Sequence, residues 1–345
     1  MKSFASDNNS GVHPLIMESI QAANVDHVVA YGDDLWTAEA ENVLKAIFGD
    51  DVQPYFVFNG TGANVISLQA ATRPFHSVIC ASTAHILVDE CGAPTKSTSC
   101  LLREVQTSDG KLTPELIKPL LHGFDDPHHS QPKVIYISQV TELGTVYTPE
   151  ELNALCELAH AYDMYVHVDG ARLANACARL NLGMKELTRD CGVDILSLGG
   201  TKNGMLMGEA VIAFRPELQE NLKFYRKQSA QLCSKMRYLS CQFTTYFQND
   251  LWLKNARHAN AMAAYLEEKI QSIPSIELVQ KVESNALFLS MPRQMIEELR
   301  KEFFFYTWNE ERNEVRWVTS WDTSQEDVEY FVKKILPLHP QTVNE

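Results

Sequence analysis

The chain has 345 residues, 45% of them apolar and 21% charged, as in a folded globular protein long enough for two domains. Its formal net charge is −14 and it has no Lys/Arg-rich run, which excludes nucleic acid and anionic membranes as main partners. No apolar stretch reaches the roughly 20 residues that span a bilayer, and the N-terminus lacks the apolar core of a signal peptide. These features predict a cytoplasmic location.

The positions of cysteine and histidine bear on metal binding. The eight cysteines are scattered singly, without CxxC pairs or close Cys/His clusters. We therefore interpret most cysteines as small buried apolar residues and predict no metal site.

Strand and helix patterns alternate along the first two thirds of the chain. Thr148, Pro149 and Glu151 form a capping-box pattern that predicts the start of one helix. The repeated β–α–β order predicts a mainly parallel sheet covered by helices on both faces, with ligand groups at the carboxyl ends of the strands. The predicted strands are residues 55–60, 77–80, 133–140, 164–170, 193–200 and 208–214.

The last third of the chain has a different pattern. Long helical patterns occupy residues 216–270, and the strands predicted at 276–279, 286–291 and 314–321 alternate with helices. This pattern predicts a smaller α+β domain. We expect three parts: an N-terminal segment that contributes to the active site (1–15), a large domain (16–255) and a small C-terminal domain (256–345).

Two polar residues follow neighbouring predicted strands. Asp169 ends the strand in HVDGAR, and Lys202 follows the next strand in the glycine-rich turn SLGGTKNG. Taken alone, Asp169 fits a helix cap or a salt bridge to Arg172, and Lys202 fits an exposed turn. Together, they fit a carboxylate that keeps a heteroaromatic nitrogen protonated and a desolvated amine that forms a Schiff base.

Two further features fit the same site. In FNGTGAN, the helix start at Gly60, Thr61 and Gly62 offers backbone N–H groups and a hydroxyl to a phosphate, although glycine-rich turns are common. His85 follows the strand that ends near Cys80, where an imidazole could cover a ring face or move protons. A lone histidine is more often structural.

Eight motifs in collinear order resemble the low-specificity L-threonine aldolases, which are fold-type-I pyridoxal-phosphate (PLP) enzymes close to the β-eliminating lyases. The resemblance covers essentially the whole chain and implies a seven-stranded sheet of the PLP-dependent transferase type. The motifs are SDNNSGVHP, AYGDD, FNGTGAN, TAHILVDECGAP, TELGTVYTP, HVDGARLANA, GGTKNGMLMGEA and RWVTSWDT.

The resemblance implies roles in holding PLP. Lys202 forms the Schiff base, Asp169 binds the pyridine nitrogen and His85 stacks on the ring. Arg172 holds either the phenolic oxygen of the cofactor or the substrate carboxylate. The residues that bind the phosphate are Gly60, Thr61, Gly62 and Thr201.

The resemblance also implies the substrate and the reaction. Ser6, Arg172 and Arg316 match the positions that grip an amino-acid carboxylate, and Tyr31 matches a tyrosine at the mouth of the site. The expected reaction is the retro-aldol cleavage of L-threonine or L-allo-threonine to glycine and acetaldehyde.

One position departs from the family pattern. Many threonine aldolases have a histidine in the loop after the strand at 133–140, where this chain has Glu142. The base for the substrate hydroxyl is therefore open among His85, Glu142 and an ordered water.

The resemblance also implies a homotetramer built from two dimers, in which two subunits contribute to each active site. Residues 225–238 carry four cations and no acid. Of these, Lys227 or Arg237 is expected to reach the cofactor phosphate of the neighbouring subunit. The alternative is a solvated helix face.

Other functions compete with threonine cleavage. Another β-eliminating lyase, a phenylserine aldolase and a serine hydroxymethyltransferase are the enzyme alternatives, although the chain is short for the last. A non-catalytic protein with the same fold is disfavoured by the intact set of Lys202, Asp169, Arg172 and Arg316.

Overall fold

A seven-stranded sheet forms the centre of the larger part of the protein. The computed structural model describes residues 3–338. The strands are β1 (Tyr55–Val57), β2 (His76–Ala81), β3 (Leu101–Val105), β4 (Gln131–Ser138), β5 (Tyr165–Gly170), β6 (Ile195–Gly199) and β7 (Glu209–Ala213). Their spatial order is β1-β7-β6-β5-β4-β2-β3.

The direction of the strands follows from their pairing. Strands β6, β5, β4, β2 and β3 pair in parallel, whereas β7 is antiparallel to both β6 and β1. Only β7 is thus reversed within this sheet, which confirms the predicted mainly parallel seven-stranded architecture. The sequence analysis did not predict β3, an edge strand whose residues 101–104 are exposed or partly buried and lack an apolar run.

Helices connect these strands. They are α1 (Pro14–Ala22), α2 (Leu35–Phe48), α3 (Gly60–Ala71), α4 (His85–Val88), α5 (Ala93–Thr98), α6 (Pro114–Ile117), α7 (Pro149–Ala161), α8 (Leu173–Leu180), α9 (Pro216–Gln219), α10 (Leu222–Gln228) and α11 (Arg237–Phe247). The predicted capping box starts α7, where Thr148 Oγ1 accepts from Glu151 N at 3.3 Å and Glu151 Oε2 accepts from Thr148 N at 2.7 Å.

Both faces of the sheet are buried. Consecutive strand residues alternate between two apolar clusters: Ile79 and Ile135 belong to one, Val78 and Val134 to the other. Helices α7 and α8 contribute to the first cluster and α3 to the second. This two-sided burial is what continuous apolar strands require.

A second, smaller sheet follows. It is antiparallel, in the order β10-β11-β9-β8. Its elements are α12 (Leu251–Ile270), β8 (Glu277–Leu278), β9 (Ala286–Ser290), α13 (Arg293–Leu299), β10 (Tyr306–Asn309), β11 (Glu314–Val318) and α14 (Gln325–Ile335). Strand β10 was not predicted, because its four residues are all partly buried or exposed.

The helix α12 links the two parts of the protein. Leu251 and Ala256 pack into the core of the larger sheet, whereas Ala263 and Leu266 pack into the core of the smaller one. The boundary that we predicted between residues 255 and 256 lies inside this helix. The division into domains stays a prediction.

The N-terminal segment lies against the small sheet. Phe4 is buried and stacks on Phe331 with ring centroids 4.3 Å apart, and its carbonyl oxygen accepts from Val318 N at 2.8 Å. Farther along, His13 N donates to Gly204 O at 2.9 Å, close to Lys202 in sequence. The segment thereby connects the small sheet with the carboxyl edge of the large one. None of the helices within residues 3–338 has the length and hydropathy needed to cross a bilayer.

Candidate active site

Asp169 and Lys202 lie at the carboxyl edge of the large sheet. Asp169 is the penultimate residue of β5, and Lys202 lies in a short 3-10 helix, Thr201–Asn203, directly after the adjacent parallel strand β6. Burial and the positive charge of Arg172 lower the pKa of Lys202, against the nearby carboxylates. A larger share of the lysine is therefore the neutral amine that can react with an aldehyde.

Asp169 is held by three donors. Its Oδ2 accepts from Asn64 Nδ2 and Tyr136 Oη, each at 2.8 Å, and its Oδ1 accepts from Ala171 N at 2.9 Å. Burial alone would raise the pKa of Asp169, but the Asn64 hydrogen bond and Lys202 outweigh it and lower the pKa. The site therefore contains a buried carboxylate that stays ionised and can pair with a protonated ring nitrogen.

His85 begins α4, directly beyond β2. Its Nδ1 lies 2.9 Å from Glu90 Oε1, and its backbone N–H donates to Glu142 Oε1 at 2.8 Å. The hydrogen bond to Glu90 raises the pKa of His85, although burial opposes it. The sequence analysis singled out His85 but missed Glu90, which lies within the quoted motif TAHILVDECGAP.

Glu142 occupies the loop after β4. Its Oε1 accepts from Ser138 Oγ at 2.6 Å as well as from His85 N. Burial raises the pKa of Glu142 despite these donors. Glu142 Oε1, the oxygen that faces His85, thus already accepts two hydrogen bonds.

The start of α3 forms a cradle at the same sheet edge. Val57 of β1 pairs with Glu209 of β7, which pairs with Gly199 of β6, so the end of β1 lies in line with the Lys202 turn. Asn59 caps the helix, and its Oδ1 accepts from Gly62 N at 2.8 Å. Gly60 and Thr61 follow the cap, and the first N–H groups of a helix lack intrahelical acceptors and attract anions.

Two residues that the sequence analysis missed border this cradle. Gln231 Oε1 accepts from Phe58 N at 2.9 Å, and its side chain fills the space that a Cβ on Gly62 would need. Glu209 is buried and accepts from Gly200 N at 3.1 Å. Burial raises the pKa of Glu209 to about 7, against hydrogen bonding by the predicted phosphate residue Thr201.

Arg172 is paired within the chain. Its Nε and Nη2 donate to the two carboxylate oxygens of Asp7 at 2.7 and 2.8 Å, and Asn285 Nδ2 donates to Asp7 Oδ2 at 3.1 Å. The adjacent Ser6 caps the short helix Asp7–Asn9 through its hydroxyl, which accepts from Asn8 N at 3.2 Å. Asp7 thus connects the N-terminal segment with Arg172, at the start of α8, and with Asn285, the residue before β9.

Arg316 has an open donor. Its guanidinium lies over the rings of Tyr306 and Trp308, 5.6 Å from each centroid, and its Nη2 donates to Ala5 O at 3.2 Å. Its Nε is buried and has no acceptor among residues 3–338. Burial and the neighbouring Arg172 lower the pKa of Arg316. An unpaired buried donor is costly and fits an anionic ligand.

The remaining predicted residues lie on the outer surface. Tyr31 is exposed, and Lys227 Nζ lies over its ring, 5.4 Å from the centroid. Arg237 instead donates to Val25 O at 2.6 Å and to Asp26 O at 3.3 Å in its own chain. Lys227 is thus the freer of the two cations predicted to reach a neighbouring subunit.

Comparisons with known proteins show the family of the chain. The beta-eliminating lyase family profile matches residues 3–293. The low specificity L-threonine aldolase of Pseudomonas aeruginosa is 42% identical over 334 residues, 96% of each chain. A relative of the same description from Pseudomonas sp. is 42% identical over 324 residues, 93% of each chain. The solved structure of Leishmania major threonine aldolase matches with a TM-score of 0.93 and 31% identity, covering 99% of this chain and 100% of that one.

The fold and the comparisons define a PLP-dependent lyase of fold type I. The chain belongs to the beta-eliminating lyase and threonine aldolase family. The site residues fit this cofactor. Lys202, whose pKa is lowered, the buried and ionised Asp169 and the start of α3 lie at one edge of the sheet.

Replacement of Asp7 by Asn tests the buried ion pair with Arg172. Burial alone would raise the pKa of Asp7, but Arg172 outweighs burial and lowers the pKa from its ordinary value. Its stabilising contribution is therefore complete above the unfolded pKa and is lost as the pH falls through the folded pKa. At pH 7, Asp7→Asn should lower the free energy of unfolding by about 3 kcal/mol, because it leaves a buried arginine unpaired.

Chemical denaturation at pH 7 and pH 3 measures this difference, which should be smaller at pH 3. Asp51→Asn is the matched control, since Asp51 pairs with Arg189 at 2.7 Å on the surface. That change should cost at most about 1 kcal/mol. Equal losses in the two variants at pH 7 would contradict the role of the buried pair.

Proposed function

We propose that the protein cleaves L-threonine and L-allo-threonine to glycine and acetaldehyde with PLP as cofactor. The observation that carries this proposal is the Asp169–Lys202 arrangement in a chain 42% identical, over 96% of its length, to a low specificity L-threonine aldolase. Bound PLP would supply a ring that withdraws electrons from the α-carbon of the substrate.

Each cofactor role is assigned to a residue of the site. Lys202 is the amine that binds the cofactor covalently, supported by its lowered pKa. Asp169 pairs with the ring nitrogen, and His85 covers one ring face. We assign the phosphate to the start of α3 at Gly60, Thr61 and Gly62, together with Thr201.

Arg316 is our main candidate for the substrate carboxylate. Its buried Nε lacks an acceptor within residues 3–338, whereas Arg172 already uses two nitrogens on Asp7. The planar fork of an arginine holds a carboxylate in a fixed orientation. Fixing the carboxylate orients the Cα–Cβ bond, which favours cleavage of that bond. We also assign Ser6 to the carboxylate, because it lies between Ala5, which binds Arg316, and Asp7, which binds Arg172.

Cleavage requires that the β-hydroxyl of the substrate lose its proton. Among His85, Glu142 and water, we favour His85. Its side chain is 37% exposed, and Glu90 occupies its Nδ1, so Nε2 is the ring nitrogen left for the substrate. Glu142 Oε1 already accepts from Ser138 and from the His85 backbone, which weakens it as a base.

Replacement of Lys202 by Ala tests the assignment of the cofactor amine. Turnover of L-threonine should fall to background because the covalent link to PLP is lost, while the fold persists because little core volume is removed. Acetaldehyde release, coupled to NADH oxidation by an alcohol dehydrogenase, measures turnover, and circular dichroism measures folding.

Lys185→Ala is the control for this variant, since Lys185 forms a surface ion pair with Asp190. Near-normal threonine cleavage by Lys202→Ala would refute the assignment. In the unmodified protein, pyruvate from serine would favour a β-eliminating lyase. Preferential cleavage of phenylserine would favour a phenylserine aldolase.

We further propose a cytoplasmic homo-oligomer, a dimer of dimers, whose sites lie at subunit interfaces. The surface around Tyr31 supports an interface, since Val28, Val29 and Leu35 are all exposed there. Lys227 lies over Tyr31 on this surface. Eight free cysteines and the acidic composition support the cytoplasm.

Replacement of Lys227 by Glu tests the shared site. We expect weaker PLP retention together with a less stable oligomer, because the new charge repels a neighbouring phosphate. Gel filtration with light scattering and PLP absorbance measure both. Lys223→Glu is the control, because Lys223 is also an exposed residue of α10. An active, PLP-loaded monomer would contradict the shared site.

A further inference from the structure

Glu90 is a buried carboxylate that none of the cofactor and substrate assignments above includes. Its side chain is fully buried, in the connection between α4 and α5. Its Oε1 lies 2.9 Å from His85 Nδ1 and accepts from Asn64 Nδ2 at 2.8 Å. Its Oε2 has no partner among residues 3–338. A carboxylate this deep is retained at a cost in desolvation, so its contacts define what it does.

Asn64 joins Glu90 to the carboxylate of the predicted ring-nitrogen site. The same Nδ2 that donates to Glu90 also donates to Asp169 Oδ2 at 2.8 Å. An amide nitrogen carries two hydrogens, one for each carboxylate. The reversed amide would set its oxygen against two carboxylates, so the hydrogen-bond network fixes this orientation. The network therefore runs from His85 through Glu90 and Asn64 to Asp169.

This network determines where His85 carries its proton. Glu90 accepts hydrogen bonds when ionised, so the His85 nitrogen beside it must be the N–H donor. In the neutral imidazole, the other nitrogen, Nε2, is then the acceptor. A histidine that served only to cover a ring face would not need a fixed tautomer. A histidine that accepts a proton needs one, because the accepting nitrogen must be unprotonated.

We propose that Glu90 is a positioning residue that holds His85 in the Nδ1–H tautomer and leaves Nε2 as the proton acceptor of the site. Asn64 completes the arrangement by holding Glu90 and Asp169 on one amide. The part that concerns proton acceptance rests on the proposed function, whereas the tautomer does not.

The charges that face His85 give the direction of its pH dependence. Glu90 and Asp169 raise the pKa of His85, whereas Lys202 and burial lower it. Glu142 also faces this residue, through the His85 backbone N–H. Removing the charge of Glu90 should thus lower the pKa of His85 and extend the neutral, proton-accepting form to lower pH.

The first test is a spectroscopic one on the PLP-loaded protein. Labelling all histidines with ¹⁵N and assigning His85 by its absence in His85→Asn gives its tautomer from the ring-nitrogen shifts. The wild type should show Nδ1–H and unprotonated Nε2 above the pKa. An Nε2–H tautomer would overturn the proposal without any variant of Glu90, and irrespective of whether threonine is the substrate.

The second test is Glu90→Gln, which keeps the shape and removes the charge. The His85 titration and the acidic limb of kcat should both move to lower pH by roughly one pH unit or more, as expected on loss of an adjacent opposite charge. At its optimum pH, kcat should fall about tenfold or more, with KM changed less than about threefold. Glu90→Asp should restore part of the pH shift.

Glu157→Gln is the matched control, because Glu157 lies on the exposed face of α7. A His85 titration that is unchanged in Glu90→Gln would overturn the positioning role. A shifted titration with no change in the pH profile of kcat would overturn proton acceptance by His85. Absence of threonine cleavage in the wild type would refute the proposed function alone, since the tautomer is read independently.

Discussion

The ionised state of Asp169 is the constraint on which the rest of the site depends. A carboxylate at a fully buried strand end tends to become protonated, and only directed donors and a nearby cation keep it charged. Asn64, Tyr136 and the backbone of Ala171 are the donors, and Lys202 contributes the positive charge. The parallel pairing of β5 with β6 makes this possible, because it sets the lysine turn beside the aspartate at one sheet edge.

The same constraint explains the surrounding distribution of charge. Arg172 depresses the pKa of Lys202 but is itself neutralised by Asp7, so the lysine and the arginine can lie close together. Arg316 is left with a buried free donor. The three cations thus differ in their surroundings: the amine of Lys202 has a lowered pKa, Arg172 is paired with Asp7, and Arg316 keeps a buried donor without an acceptor within residues 3–338. Asp7 makes the N-terminal segment part of this balance.

The sequence predicted the location of those site residues that directly follow a strand. Asp169, Lys202 and the start of α3 lie at strand ends, so alternating β and α patterns predicted that they share an edge. Glu90, Asn64 and Gln231 could not be predicted in this way, because their roles arise from side-chain contacts between separate elements. The sequence shows only that a glutamate follows His85 by five residues, and neither its burial nor its contact with His85 can be read from that spacing. The edge strands β3 and β10 escaped prediction because they lack continuous apolar faces.

The most direct test of the central claim is the rate of threonine cleavage by Asp169→Asn, compared with Asp194→Asn. Asp194 is also buried but precedes β6, at the opposite sheet edge, where it binds His160 and Arg215. We predict that Asp169→Asn lowers kcat/KM by about 10²-fold or more in a folded protein, since a preorganised charge is lost. Asp194→Asn should reduce stability and leave kcat/KM nearly unchanged. An Asp169→Asn protein that cleaves threonine within a few-fold of the wild-type rate would contradict the account.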